Sequence, residues 1–144
     1  MSAAPAQTTD KLLYTAKVHV TGGRERGSAK SSDGHLDVKL SVPGGPGAGT
    51  NPEQLLAAGW SACYESAISL LAHQAKVALP AGFAIDTEID LNTGSNGYFL
   101  RARLNVSLPG LDPAVARKLV DDAHGVCPYS KAMHGNIDIT TTLV

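Results

Sequence analysis

Cys63 in "AAGWSACYES" and Cys127 in "AHGVCPYSKA" are the only thiols in the sequence. A free cysteine is often no more than a small buried hydrophobe. It becomes a reagent when a cation or a helix N-terminus stabilises its thiolate and when its oxidised product has somewhere to go. Arg24 and Arg26 sit in "TGGRERG", which reads as a turn, where a charged side chain serves no strand packing. Cys127 directly precedes Pro128, which places it on a bend after a helix end. Several chemistries are open to these residue types. Cys63 and Cys127 could be the attacking and resolving thiols of a redox enzyme. His124 and Cys127, spaced H-x-x-C, could join His134 and Cys63 at a metal, although that spacing matches no common zinc pattern. Cys63 could instead pair with one of the five histidines as a hydrolytic nucleophile. The remaining reading is a binding module with idle cysteines. Whether the two sulfurs can meet is a question of geometry that spacing leaves open.

The elements that must position these residues show in the periodicity. At 144 residues the chain has the length of one ordinary domain. Its 12 basic and 13 acidic side chains nearly cancel and form no run of like charge, which argues against nucleic acid or an anionic membrane as a partner. "MSAAPAQTTD" has neither a basic start nor an apolar stretch, so a disordered lead is expected over 1–11 and a single domain over 12–144. A cytoplasmic location is expected, where the thiol pool keeps ordinary disulfides reduced.

Tyr14, Ala16, Val18 and Val20 alternate with polar neighbours, predicting a half-buried strand over 12–20. Leu36, Val38, Leu40 and Val42 repeat that period after the Asp33-Gly34 turn signal and predict its antiparallel partner. "PGGPGAG" reads as a loop. Thr50 and Glu53 fit a capping box, with Pro52 in the first turn, and open a helix over 52 to about 76. Glu53, Gln54, Glu65, His73 and Gln74 interrupt this helix and argue against a bilayer span. Its expected core stripe is Leu56, Trp60, Cys63, Ala67 and Leu70. Residues 83–91 and 98–106 read as a hairpin with an acidic strand, carrying Asp86, Glu88 and Asp90, beside a basic one carrying Arg101 and Arg103. Asp112-Pro113 starts a second helix that runs to about His124, "YSKAM" adds a helical turn, and 137–144 forms a last strand. The order β-β-α-β-β-α-β predicts an α+β fold.

The segments "LYTAKVHVTGGR", "SSDGHLDVKLSVP", "GTNPEQLLAAGWSACY" and "VCPYSKAMHGNID" resemble, in order and spacing, the organic hydroperoxide resistance (Ohr) branch of the OsmC/Ohr family of thiol-dependent peroxidases. The resemblance runs from about Leu13 to the C-terminus, and "CPYSKA" points to the Ohr branch. It implies that Cys63 is the peroxidatic cysteine, Cys127 the resolving one, Arg24 the catalytic arginine and Glu53 the carboxylate that holds it. It implies an organic hydroperoxide as substrate, no bound cofactor, and dihydrolipoamide or a lipoylated protein as reductant. It implies an OsmC-like fold whose antiparallel sheets wrap central helices in an intertwined homodimer. Trp60, Tyr64, Met133 and His134 stand where other members are expected to carry Tyr, Phe, Thr and Arg. Trp60 and Tyr64 flank Cys63 and are candidates to line an apolar pocket for the organic part of the peroxide. A straight helix would hold Glu53 and Cys63 about 15 Å apart along its axis, too far to share one arginine. A break near Gly59 is therefore expected. The alternative is a non-catalytic ligand-binding or stress-induced protein of the same fold.

Overall fold

The structure, a computed structural model, describes residues 10–144. Residues 1–9 of the expected N-terminal lead lie outside the described residues, and Asp10 and Lys11 carry no regular structure. The architecture is α+β. The described chain falls into two compact units, one ending at Thr50 and one spanning Asn51–Val144.

The first unit is an antiparallel sheet of β1 (Val18–Thr21), β2 (Ser28–Ser31) and β3 (Asp37–Lys39) in that order, with the short helix α1 (Gly23–Arg26) between the first two strands. The strand expected over 12–20 is thus confined to its end, and the partner expected around 36–42 to three residues. Between them stands β2, which the sequence reading did not contain. "SAKS" has no β-branched or large apolar residue, and this strand is specified by ladders to both neighbours rather than by propensity, with Val20 opposite Ala29 and Ala29 opposite Val38. "GRER" is one turn of helix and not a plain turn. Gly22 caps it in the left-handed region at φ 78°. Gly27 closes it where a Cβ would lie 2.3 Å from the carbonyl oxygens of Thr21 and Gly23. Val18 and Val20, expected to be half-buried, are 47% and 53% exposed, and Tyr14 is 75% exposed. The Gly/Pro loop is held by Ser41 Oγ, which accepts from Gly49 N at 2.9 Å.

The second unit packs α2 (Pro52–Gln74), α3 (Pro113–Ala123) and α4 (Pro128–Met133) with a sheet ordered β4 (Ala84–Gly94), β5 (Gly97–Ser107), β6 (Asp138–Leu143). The hairpin β4–β5 is antiparallel, while β6 joins β5 in parallel, which requires the long crossover that α3 and α4 supply. The central strand β5 turns Ala102, Leu104 and Val106 into the core, where they meet Trp60, Tyr64, Ala67 and Ile68 of α2 and Ala116, Leu119, Val120 and Ala123 of α3.

Helix α2 differs from its sequence reading in three respects. Its N-cap is Asn51, whose side chain accepts from Gln54 N at 2.9 Å, rather than the Thr50–Glu53 box. It runs 23 residues without a break at Gly59. Its buried face is Trp60, Tyr64, Ala67, Ile68 and Ala72, while Leu70 from the expected stripe is 48% exposed. Apolar and small residues surround this helix, so periodicity alone did not single out one face. By length and a mean hydropathy of 1.3 it could cross a membrane, and its polar interruptions do not decide against that. Its buried face identifies it as the core helix of this unit.

Candidate active site

Cys63 and Cys127, 127 − 63 = 64 positions apart in sequence, meet with their sulfurs 3.1 Å apart. Cys63 arrives on the fourth turn of α2. Cys127 arrives as the N-cap of α4, where its sulfur accepts from Ser130 N at 3.4 Å and Pro128 occupies the first helical position. Its own backbone N–H is tied to Ala123 O at 2.9 Å, which anchors the bend to the end of α3. Cys127 is wholly buried and Cys63 only half-buried. A reagent from solvent therefore reaches Cys63 first. Burial pushes the Cys63 thiol above its ordinary value, a backbone hydrogen bond from Tyr129 pulls it back, and the neighbouring Cys127 pushes it up again. Within this unit, then, a single backbone N–H opposes burial in favour of the thiolate.

Gly59 has a role the sequence did not disclose. A Cβ there would stand 2.7 Å from the Tyr129 hydroxyl and 3.1 Å from Cζ of its ring. The missing side chain lets Tyr129 lie against α2 one turn before Cys63, while the Tyr129 backbone serves the Cys63 sulfur. The predicted helix break is instead a close approach.

Trp60 and Tyr64 are in the core. Both are fully buried, with Trp60 Nε1 donating to Ser130 Oγ at 2.9 Å and Tyr64 Oη donating to Val120 O at 2.6 Å. Burial raises the Tyr64 phenol, which keeps it a donor. In the single chain neither presents a surface to a ligand. Met133 packs against the core, and His134 Nδ1 lies 3.2 Å from Ser130 O.

Glu53 occupies the first turn of α2, where the helix dipole favours a carboxylate. Because the helix is unbroken, Glu53 and Cys63 are separated by ten residues, or about 15 Å of rise. Arg24 is the second residue of α1 and belongs to the first unit.

His124, considered above as a metal ligand with Cys127, has both ring nitrogens engaged by hydroxyls: Nδ1 with Ser130 Oγ at 2.8 Å and Nε2 with Thr141 Oγ1 at 2.7 Å. No group of three or more His, Cys, Asp or Glu able to hold a metal occurs among the described residues. Ser130, Thr141 and Tyr129 were missed as contributors, and Gly59 was read only as a break in α2. Ser130 alone carried a signal, since it follows the N-cap Cys127 by three positions in "CPYS".

The protein family described as OsmC-like protein matches residues 44–142. The organic hydroperoxide resistance protein of Xanthomonas axonopodis pv. citri (strain 306) is 49% identical over 138 residues, covering 93% of this chain and 96% of that protein. The organic hydroperoxide resistance protein OhrA of Bacillus subtilis (strain 168) is 42% identical, covering 89% of this chain and 94% of that one. Among solved structures, the organic hydroperoxide resistance protein OhrB of Bacillus subtilis superposes with a TM-score of 0.86 at 37% identity, covering 92% of this chain and 100% of the other. An organic hydroperoxide resistance protein from Legionella pneumophila superposes with a TM-score of 0.85 at 40% identity, covering 92% of this chain and 98% of the other.

Proposed function

This chain belongs to the OsmC/Ohr family, in its organic hydroperoxide resistance branch, and from that premise we propose that it is a thiol-dependent peroxidase that reduces organic hydroperoxides. The observation that carries the proposal is the half-buried Cys63 sulfur 3.1 Å from that of the buried Cys127. Such a pair suits a two-thiol cycle. The Cys63 thiolate attacks the terminal peroxide oxygen, the O–O bond breaks, and the alkoxide leaves as the alcohol after taking a proton. Cys63 is then a sulfenic acid. The Cys127 thiolate attacks that sulfur, the S–O bond breaks, and water leaves as the Cys63–Cys127 disulfide forms. The sulfurs need to close by only about 1 Å to reach bonding distance, which is near 2.05 Å. A dithiol returns both cysteines to the thiol state, and dihydrolipoamide or a lipoylated protein is the reductant we propose.

Arg24 is the proposed cation. A guanidinium beside Cys63 favours the thiolate, opposing the burial that raises it here, and stabilises charge on the leaving oxygen. Glu53 would orient the guanidinium fork. Because Glu53 sits about three helical turns from the Cys63 of its own chain, an arginine held by Glu53 serves the thiol of a second copy more readily than that of its own. A homodimer is therefore part of the proposal. It is supported by the exposed apolar residues Leu12, Leu13, Tyr14, Val18 and Val20, which are 47–86% exposed in the single chain. Trp60 and Tyr64 then shape any pocket at Cys63 from behind rather than by lining it. A cytoplasmic setting suits the reducing chemistry.

The second reading, an OsmC-fold protein with inert thiols, is favoured by the upward shift of Cys63. One experiment separates the two. The reduced protein receives one equivalent of tert-butyl hydroperoxide, its intact mass is taken, and dihydrolipoamide is then added. The peroxidase loses two hydrogens, yields a Cys63–Cys127 linked peptide and regains its mass with the dithiol. An unchanged mass leaves the inert-thiol protein.

A further inference from the structure

The catalytic cycle makes no use of a buried hydroxyl that bridges two side chains in the core of the second unit. Ser130 is wholly buried, and its hydroxyl stands between Trp60 Nε1 at 2.9 Å and His124 Nδ1 at 2.8 Å. An indole N–H can only donate, so the Ser130 oxygen accepts from Trp60. The Ser130 proton must go elsewhere, and Nδ1 of His124 is the acceptor in reach. That assigns the tautomer: His124 is neutral, accepts at Nδ1, and carries its proton on Nε2, from which it donates to Thr141 Oγ1 at 2.7 Å. The ring is further fixed by stacking on Tyr64, with centroids 4.4 Å apart and planes inclined by 16°. A single directed chain thus runs from Trp60 through Ser130 and His124 to Thr141. It ties together α2, α4, the C-cap of α3 and β6.

Its end product is the position of one sulfur. Ser130 is the third residue of α4, and its backbone N–H is the donor that the Cys127 sulfur accepts. Where the Ser130 side chain is held, the first turn of α4 is held, and so is the direction of Cys127 Sγ. We propose that His124 and Ser130 are positioning residues for resolution: they keep Cys127 Sγ aimed at Cys63 and thereby set how fast a modified Cys63 is closed to the disulfide. In the cycle this deepens the peroxidase reading and rests on it, because the oxidised Cys63 would otherwise remain as a sulfenic acid open to a second hydroperoxide. Loss of alignment by about 1 Å commonly costs on the order of a hundredfold in rate.

The test reads the closure step without hydroperoxide. Reduced protein is mixed with 4,4′-dithiodipyridine. Cys63 attacks one sulfur of the reagent and releases the first thiopyridone. Cys127 then attacks Cys63 Sγ, the bond to the second pyridyl sulfur breaks, and a second thiopyridone leaves with the Cys127 proton. Wild type, Ser130→Ala, His124→Leu and His124→Asn are compared by stopped flow, with thermal melts to verify folding. The expected result is a first release within about twofold of wild type in all variants and a second release at least tenfold slower in Ser130→Ala and His124→Leu. His124→Asn recovers to within about threefold, because its amide oxygen accepts the Ser130 proton where leucine cannot. A second release at the wild-type rate in Ser130→Ala overturns the proposal, as does an equal slowing of both releases. If His124→Leu does not fold, Ser130→Ala decides alone. A wild type that closes the pyridyl mixed disulfide yet ignores tert-butyl hydroperoxide ends the peroxidase reading and leaves the positioning role to be decided by the same variants.

Discussion

The second unit contains two polar clusters of opposite kind. On the β4–β5 hairpin, Arg103 grips both oxygens of Asp90 at 2.7 and 2.8 Å and reaches Glu88 at 3.1 Å, all in contact with solvent. In the core, Ser130 joins Trp60 to His124 and through it to Thr141, with no charge involved. The hairpin cluster looks the stronger on paper, being ionic and bidentate. Yet water and salt compete for each of its members, so its removal exposes groups that are readily resolvated. The core chain has no such recourse. Deleting one hydroxyl there strands a buried indole N–H and a ring nitrogen, and each stranded group carries its full desolvation cost. Solvent access, more than formal charge, ranks the two.

The largest expected effect follows directly. Ser130→Ala should lower the stability of the reduced protein by about 2–4 kcal/mol, the cost of stranding two buried polar groups, read as a shift of the urea midpoint. Stability unchanged from wild type would mean that water replaces the hydroxyl and that the contrast with the hairpin is lost.

Next is a dependence on pH that belongs to the core cluster. Burial, followed by the neighbouring His134, pushes His124 down to about 4 from an ordinary value near 6.5, with Asp121 opposing. Between those values the unfolded chain binds the proton and the folded one refuses it. The contribution is therefore complete above about 6.5 and is lost as the pH falls toward 4. Allowing for the partial exposure of the ring, the loss is on the order of 2 kcal/mol. Urea midpoints at neutral pH and near pH 4.5 measure it, and the difference should shrink by that amount in His124→Asn. A His124→Asn protein with the wild-type pH slope would assign the loss to other groups.

Gly59→Ala sharpens the comparison at the thiol itself. A helix gains about 1 kcal/mol from alanine over glycine, but here the methyl must displace the Tyr129 ring. Stability should change little, while attack of Cys63 on 4,4′-dithiodipyridine, read as release of the first thiopyridone, slows severalfold as the Tyr129 N–H moves away from the sulfur. Equal rates of first release would remove Tyr129 from the account of Cys63.

The smallest effect is expected at the hairpin. The Arg103 hydrogen bonds hold Asp90 below the usual carboxylate range, so whatever this pair adds is present above that range and fades only in stronger acid. Asp90→Asn should leave the midpoint near neutrality almost unmoved and insensitive to added salt. A drop rivalling that of Ser130→Ala would reverse the ranking of the clusters.

The sequence by itself supplied what local chemistry encodes. The hairpin was legible because strict alternation over 83–106 sets both strands and their acidic and basic faces. The start of α3 was legible from Asp112-Pro113, whose carboxylate accepts from Val115 N at 3.1 Å. The motifs around Cys63 and Cys127 sufficed to propose a thiol pair and a family. Tertiary structure decided whatever depends on groups distant in the chain. Spacing left open whether Cys63 and Cys127 meet across 64 positions, and only folding brings their sulfurs to 3.1 Å. Ser130 and His124 are ordinary polar residues until four elements surround them. Gly59 reads as a weak point in a helix until Tyr129 needs its space. The face that α2 buries could not be chosen from a helix apolar on several sides, because burial is set by what packs against it. Local sequence fixes backbone propensities and caps within a few residues, whereas a site is a meeting of side chains whose partners are chosen by the packing of the whole unit.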